Sequence, residues 1–108
     1  MEWTTMERLR MYTGEAERIE GLPAYEYIVK AAHEGGLAGA TAMRGIMGYS
    51  GNSVVHTAKI LRLTENLPIL IEIIDTADKI EAFCATELIK LKRCLLTRDT
   101  VSVKVIRN

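Results

Sequence analysis

The chain has 108 residues, 48% of them apolar and 26% charged, and its formal net charge is +0. That length suits one domain, spanning residues 1–108, and the composition is that of an ordinary folded protein. It excludes a disordered chain, which combines low hydrophobicity with net charge, and it argues against a dedicated nucleic-acid binder, which carries a basic excess.

Residues 1–6 read as a loose tail. Met1 to Arg10 includes Glu2, Glu7, Arg8 and Arg10, unlike a signal peptide, and no apolar run approaches the length of a membrane span. A cytoplasmic location is expected. From Arg8 to Thr13 the residues alternate, with Leu9, Met11 and Thr13 on one side and Arg8, Arg10 and Tyr12 on the other. That period of two predicts a strand. Gly14 to Leu22 is polar and reads as a loop. Pro23 then suits the first turn of a helix. Tyr25, Ile28, Val29 and Ala32 follow at helical spacing, His33 suits the negative end of the helix dipole, and Gly35-Gly36 ends it.

Ala38 to Met47 predicts a second strand, followed by the turn-rich stretch Gly48 to Ser53. Val54 to Leu63 has some extended character, and Glu65 to Pro68 makes another turn. Ile69 to Ile74, dense in β-branched residues, is the strongest strand signal in the chain. Asp75 or Thr76 can cap a second helix, with Ile80, Phe83, Cys84, Leu88 and Leu91 as its buried stripe. Cys84 and Cys94 match no metal or redox spacing, and His33 and His56 are not grouped with them; both cysteines read as small apolar residues. Thr100 to Ile106 alternates again and predicts a last strand. The order β-α-β-(loop)-β-α-β predicts an α+β, ferredoxin-like βαββαβ fold, with both helices on one face of an antiparallel sheet.

A bare sheet face in water should be polar at every second residue. The Ile69–Ile74 strand is not: Ile69, Ile71 and Ile73 point one way, Leu70, Glu72 and Ile74 the other. Both faces therefore call for burial, either against further copies of the chain or under segment 48–66 folding back. Self-association is the reading adopted. Glu72 then lies in or near a buried surface and needs a partner.

No Asp or Glu occurs between Glu34 and Glu65, a stretch that holds Arg44, His56, Lys59 and Arg62 and the glycines Gly45, Gly48 and Gly51. Glycine turns with free N–H groups and cationic side chains make an anion site, with phosphate an obvious candidate and Arg44 a bidentate donor for it. A flexible hairpin with solvated basic residues fits the pattern equally well. A connection of about 18 residues is long for a compact domain, and long loops are commonly functional. No P-loop spacing is present.

The run Gly39-Ala40-Thr41-Ala42-Met43-Arg44-Gly45-Ile46-Met47-Gly48-Tyr49 resembles the hallmark of the domain of unknown function 190 family. The resemblance continues through Leu9 to Glu15, His56-Thr57, Leu63, Leu67-Pro68 and Ile71 to Asp75. That family is similar to the PII signal-transduction proteins, trimeric regulators with a mobile T-loop. Gly48-Tyr49, His56-Thr57 and Leu67-Pro68 with Glu72 occupy the places of matching PII features. The resemblance implies a homotrimer with its sheets packed inward. It also implies clefts between subunits at the loop base that take an adenine nucleotide such as AMP, or another small anion, as a ligand rather than a fixed cofactor. The modified tyrosine of the PII loop has no counterpart, Ile60 standing near its place. The glycine-rich phosphate loop of PII corresponds to Leu91 to Asp99, which contains no glycine. Triphosphate binding in the PII manner is not expected, and Arg93 or Arg98 of a neighbouring chain is the substitute cation. Some members of the family occur near fluoride-exporter genes, so a membrane transporter, or an enzyme, is a candidate partner.

The leading functional reading is a non-enzymatic sensor, with Arg44, Gly45, Gly48, Tyr49, His56 and Glu72 as ligand-binding residues and no metal. A ligand biases such a loop only by binding one of its states more tightly. The alternative is a small enzyme acting on a phosphorylated or nucleotide substrate through His56, Glu72 and Arg44. A sheet-face RNA binder would need aromatic residues on the central strands, where Tyr12 stands alone.

Overall fold

The computed structural model describes residues 2–49, 55–57 and 66–107, with the backbone alone for His56 and Thr57. In chain order the elements are β1 (Thr4–Gly14), β2 (Arg18–Ile19), β3 (Leu22–Pro23), α1 (Ala24–Glu34), β4 (Gly39–Arg44), β5 (Met47–Gly48), β6 (His56–Thr57), β7 (Pro68–Asp75), α2 (Ala77–Thr86) and β8 (Leu95–Val103). A single 3₁₀ turn at Leu88–Lys90 follows α2. The main sheet runs β4-β7-β1-β8 with every neighbouring pair antiparallel. This is the ferredoxin-like α+β arrangement.

Periodicity explains which face each strand buries. Leu9, Met11 and Thr13 of β1 and Ile69, Ile71 and Ile73 of β7 turn inward and are buried. All but Thr13 share one apolar cluster with Ile28 of α1 and with Ile80 and Phe83 of α2. Helix α1 starts behind Pro23, whose φ of −53° suits a helix entry, and buries Ala24, Ile28 and Ala32 at spacings of four. It ends at Gly35, and Gly36 follows with φ +73°, a conformation that favours glycine. Thr76 is the N-cap of α2, but its side chain makes no cap bond. Asp75 is used instead: its buried carboxylate accepts from Thr76 N–H at 2.6 Å and from Ala38 N–H at 2.8 Å. That ties the start of β4 to the end of β7.

Four local expectations are revised. Strand β1 begins at Thr4, inside the stretch expected as a tail, because Thr4 to Met6 pair with Val103 to Val101. The Gly14–Leu22 loop contains the β2–β3 hairpin, turned by Glu20 and Gly21 at φ +50° and +84°. Positive φ at both central residues is what a tight two-residue hairpin requires. The strand expected over Ala38–Met47 divides into β4, which stops at Arg44, and the short β5. The last strand covers Leu95–Val103 instead of Thr100–Ile106. Its register places Asp99 opposite Arg8, and the Arg8 guanidinium donates to both Asp99 oxygens, at 3.1 and 2.6 Å. Arg98, on the other face, pairs with Glu7 and Glu81. Of the turn-rich stretch expected over Gly48–Ser53, Gly48 belongs to β5 and residues 50–53 lie outside the described residues, as does most of the Val54–Leu63 stretch.

The sheet face away from the helices carries Tyr12, Leu70, Glu72 and Ile74, all half-buried in the single chain. Arg10 stands directly opposite Glu72.

Candidate functional site

A cleft of about 310 Å³ opens where the β4–β7 connection leaves and re-enters the sheet. Its walls come from four places in the chain: Tyr12 to Gly14 at the end of β1 with Glu17 beyond it, Gly45 and Met47 to Tyr49 after β4, Asn66 before β7 with Pro68 to Leu70 at its start, and Arg93 before β8. Most of the lining is apolar or backbone, with Tyr12, Met47, Tyr49, Pro68 and Leu70 as its broad surfaces. Among the described residues, its charged lining residues are Glu17 and Arg93.

The foot of the connection is fastened by backbone. Gly45 N–H donates to Pro68 O at 2.7 Å, and Glu15 N–H to Leu67 O at 2.9 Å. Asn66 Oδ1 accepts from Ala16 N–H at 2.8 Å. A Cβ on Gly45 would stand 2.9 Å from Pro68 Cγ, and one on Gly48 3.2 Å from it. The two glycines therefore allow the chain to lie against the Pro68 ring, while their backbones still face the cleft. Beyond them β5 pairs with β6, Gly48 opposite His56. The backbone of His56 thus returns to the rim of the cleft; its side chain lies outside the described residues.

Two long-range contacts place Arg93. Thr13 Oγ1 donates to Arg93 O at 3.1 Å, and Glu17 Oε1 accepts from Lys92 N–H at 3.1 Å. Upstream, Lys90 lies 4.9 Å from the Tyr27 ring centroid and pairs with Glu87 at 3.1 Å and Glu20 at 3.3 Å. This cluster joins the end of α2 to α1 and to the β2–β3 hairpin, and so holds the turn that presents Arg93. Next to it, burial pushes the Cys94 thiol up to about 11.

The DUF190 family model, described as Uncharacterized ACR, COG1993, matches residues 6–103. This chain belongs to the DUF190 family. A UPF0166 protein of Aquifex aeolicus (strain VF5) is 42% identical over 96 residues, spanning 88% of this chain and 90% of that protein. Among solved structures the DUF190 chain is similar to CPII bound to ADP and bicarbonate, from Thiomonas intermedia K12. The TM-score is 0.67 at 12% identity, over 94% of this chain and 91% of that one. It is likewise similar to a PII-like signalling protein from Thermus thermophilus, with a TM-score of 0.61 at 11% identity, over 95% of this chain and 93% of the other. At these identities the likeness is one of fold, and the fold is PII-like.

The DUF190 chain gathers part of the expected residue set. Gly45, Gly48 and Tyr49 line the cleft. Arg44 does not: it pairs with Glu15, opposite Ile69 on the helix side of the sheet. Glu72 faces the other side and accepts from Arg10 Nε at 3.0 Å. The partner that a buried Glu72 needs is therefore a cross-strand arginine. Because Arg44 and Glu72 occupy opposite faces, the triad His56, Glu72 and Arg44 does not converge. Arg93, expected to act from a neighbouring chain, lines the cleft of its own chain. Thr13, Glu17 and Asn66 had no signal in the sequence, since each enters the site through a contact with a distant segment. Among the described residues no His, Cys, Asp and Glu side chains cluster as metal ligands would. No described helix is long and apolar enough to cross a membrane.

Proposed function

We propose that this chain is a PII-like regulatory protein of the cytoplasm and not an enzyme. In this reading it binds a small anion, an adenine nucleotide such as AMP, in the cleft at the foot of the β4–β7 connection. Three copies assemble with their bare sheet faces inward, so that each cleft is completed by a neighbour. Binding favours one arrangement of the connection over others, and that arrangement grips or releases a partner protein, a membrane transporter or an enzyme.

One observation carries the reading: both stems of the long connection line the cleft, with Gly45 and Met47 to Tyr49 from one and Asn66 and Pro68 from the other. Anything bound there touches both stems at once. The broad apolar walls suit a flat base, and Arg93 supplies a cation for a phosphate. The half-buried Leu70 and Ile74 on the bare face support assembly through that face. Adenine nucleotides bound to the structurally similar CPII are consistent with this ligand class.

The test has two parts. Light scattering at micromolar concentration should return the mass of three chains. A thermal-shift screen of AMP, ADP and ATP should raise the melting temperature for at least one, because a ligand of the folded state stabilises it. A monomer with no nucleotide response would refute the proposal, and steady turnover of a bound nucleotide would replace the regulator with an enzyme.

A further inference from the structure

Among the described residues that line the cleft, Glu17 and Arg93 carry one charge of each sign, and the two are structurally linked. Glu17 Oε1 accepts from the backbone N–H of Lys92 at 3.1 Å, so Glu17 holds the turn on which Arg93 stands. A carboxylate has about four lone-pair sites, and the Lys92 bond leaves Glu17 acceptor capacity toward the cleft that it lines. Arg44, next to the lining Gly45, is engaged by Glu15. Among the described lining residues, one cation is therefore balanced by one anion.

This balance has a consequence for ligand choice, one that rests on the nucleotide reading above. A nucleoside monophosphate presents a single anionic group, which Arg93 meets. Its ribose diol or exocyclic amine is a hydrogen-bond donor of the kind an acceptor-only carboxylate takes. Each further phosphate adds negative charge beside Glu17 with no second cation among the described lining residues to meet it. We propose that Glu17 is the specificity-determining residue of the cleft: it receives a hydrogen-bond donor of the ligand and repels every phosphate beyond the one that Arg93 neutralises. The ligand class is then a nucleoside monophosphate in preference to a di- or triphosphate.

Glu17→Gln tests this, because glutamine keeps an oxygen for Lys92 N–H and removes only the charge. The full chain, as wild type, Glu17→Gln and Arg93→Gln, is titrated calorimetrically with AMP, ADP and ATP, after thermal melts establish that each variant folds. Wild type should prefer AMP to ATP by about tenfold or more, the effect of one unscreened charge contact. Glu17→Gln should tighten ATP by about tenfold while changing AMP far less, and Arg93→Gln should weaken AMP by about tenfold. Wild type binding ATP as tightly as AMP overturns the inference without any variant. So does an ATP-to-AMP ratio that Glu17→Gln leaves unchanged, and in both cases the nucleotide reading stands. If no nucleotide binds wild type or Glu17→Gln, the nucleotide reading itself fails and the role of Glu17 falls with it.

Discussion

Arg10 and Glu72 face each other across β1 and β7, with Nε of the arginine 3.0 Å from Oε2 of the glutamate. The pair sits on the bare sheet face beside Leu70 and Ile74 and neutralises the charges that interrupt that apolar surface. Its energetic weight depends on what covers the face. In water, breaking such a pair costs about 1 kcal/mol or less. Under a neighbouring subunit, the arginine left behind would be a desolvated lone charge, costing roughly 3–5 kcal/mol. Under the proposed trimer, Glu72→Ala should fall in the second range and shift the assembly toward monomer. Chemical denaturation and light scattering would measure both. The double variant Arg10→Ala/Glu72→Ala should recover part of the loss.

Gly45 is expected to tolerate no side chain. A Cβ there meets Pro68 Cγ at 2.9 Å, and overpacking of this kind costs about 1–3 kcal/mol. Gly45→Ala should lower the melting temperature and displace the stems that form the cleft. Gly39, on the strand that leads to it, has nothing within 4 Å of its Cβ position. Gly39→Ala should be neutral or should stabilise by up to about 1 kcal/mol. Equal effects from the two substitutions would show that the contact with Pro68 is unimportant.

The Arg8 guanidinium hydrogen-bonded to Asp99 holds that carboxyl below the ordinary carboxylate range. A carboxyl lowered in the folded state favours folding at pH values above its unfolded value, about 3.9. That contribution disappears as pH falls through the lower folded value. Wild type should therefore lose more stability than Asp99→Asn between pH 7 and pH 3, read as urea midpoints. The difference should be small, because the pair is exposed to solvent, and salt should reduce it further.

Cys94 should react slowly. With its thiol pushed up to about 11 by burial, its thiolate fraction at pH 8 is lower than that of a free cysteine by a factor on the order of a hundred. Alkylation followed by peptide mass spectrometry should show Cys94 labelled far more slowly in the folded chain than in urea. Rapid labelling in the native state would contradict the burial of this thiol.

Substitution in the sheet core gives the benchmark for these effects. Ile71 is 0% exposed in the central strand β7, and Ile71→Ala should cost about 2–5 kcal/mol. A smaller loss, measured by urea denaturation, would mean that the helices pack loosely on the sheet.

The order of the elements was legible in the sequence because each signal is local. Leu9, Met11 and Thr13 alternate with Arg8, Arg10 and Tyr12, and that period alone sets the buried face of β1. The run Ile69 to Ile74 announces a central strand, and Pro23 and Gly35-Gly36 bracket the first helix. The glycines at the loop foot were legible as well, although the ring they lie against is Pro68. Where the last strand sits was not, because its place depends on the register that Arg8 and Asp99 share across 91 residues of chain. The cleft is a product of tertiary structure in the same way. Glu17 meets Lys92, and Thr13 meets Arg93, over separations of 75 and 80 residues. The sequence offers Arg44 and Glu72 as members of one candidate site, but their register in β4 and β7 sends them to opposite faces of one sheet. Periodicity decides which way a side chain points, whereas only the packing of distant segments decides what it meets.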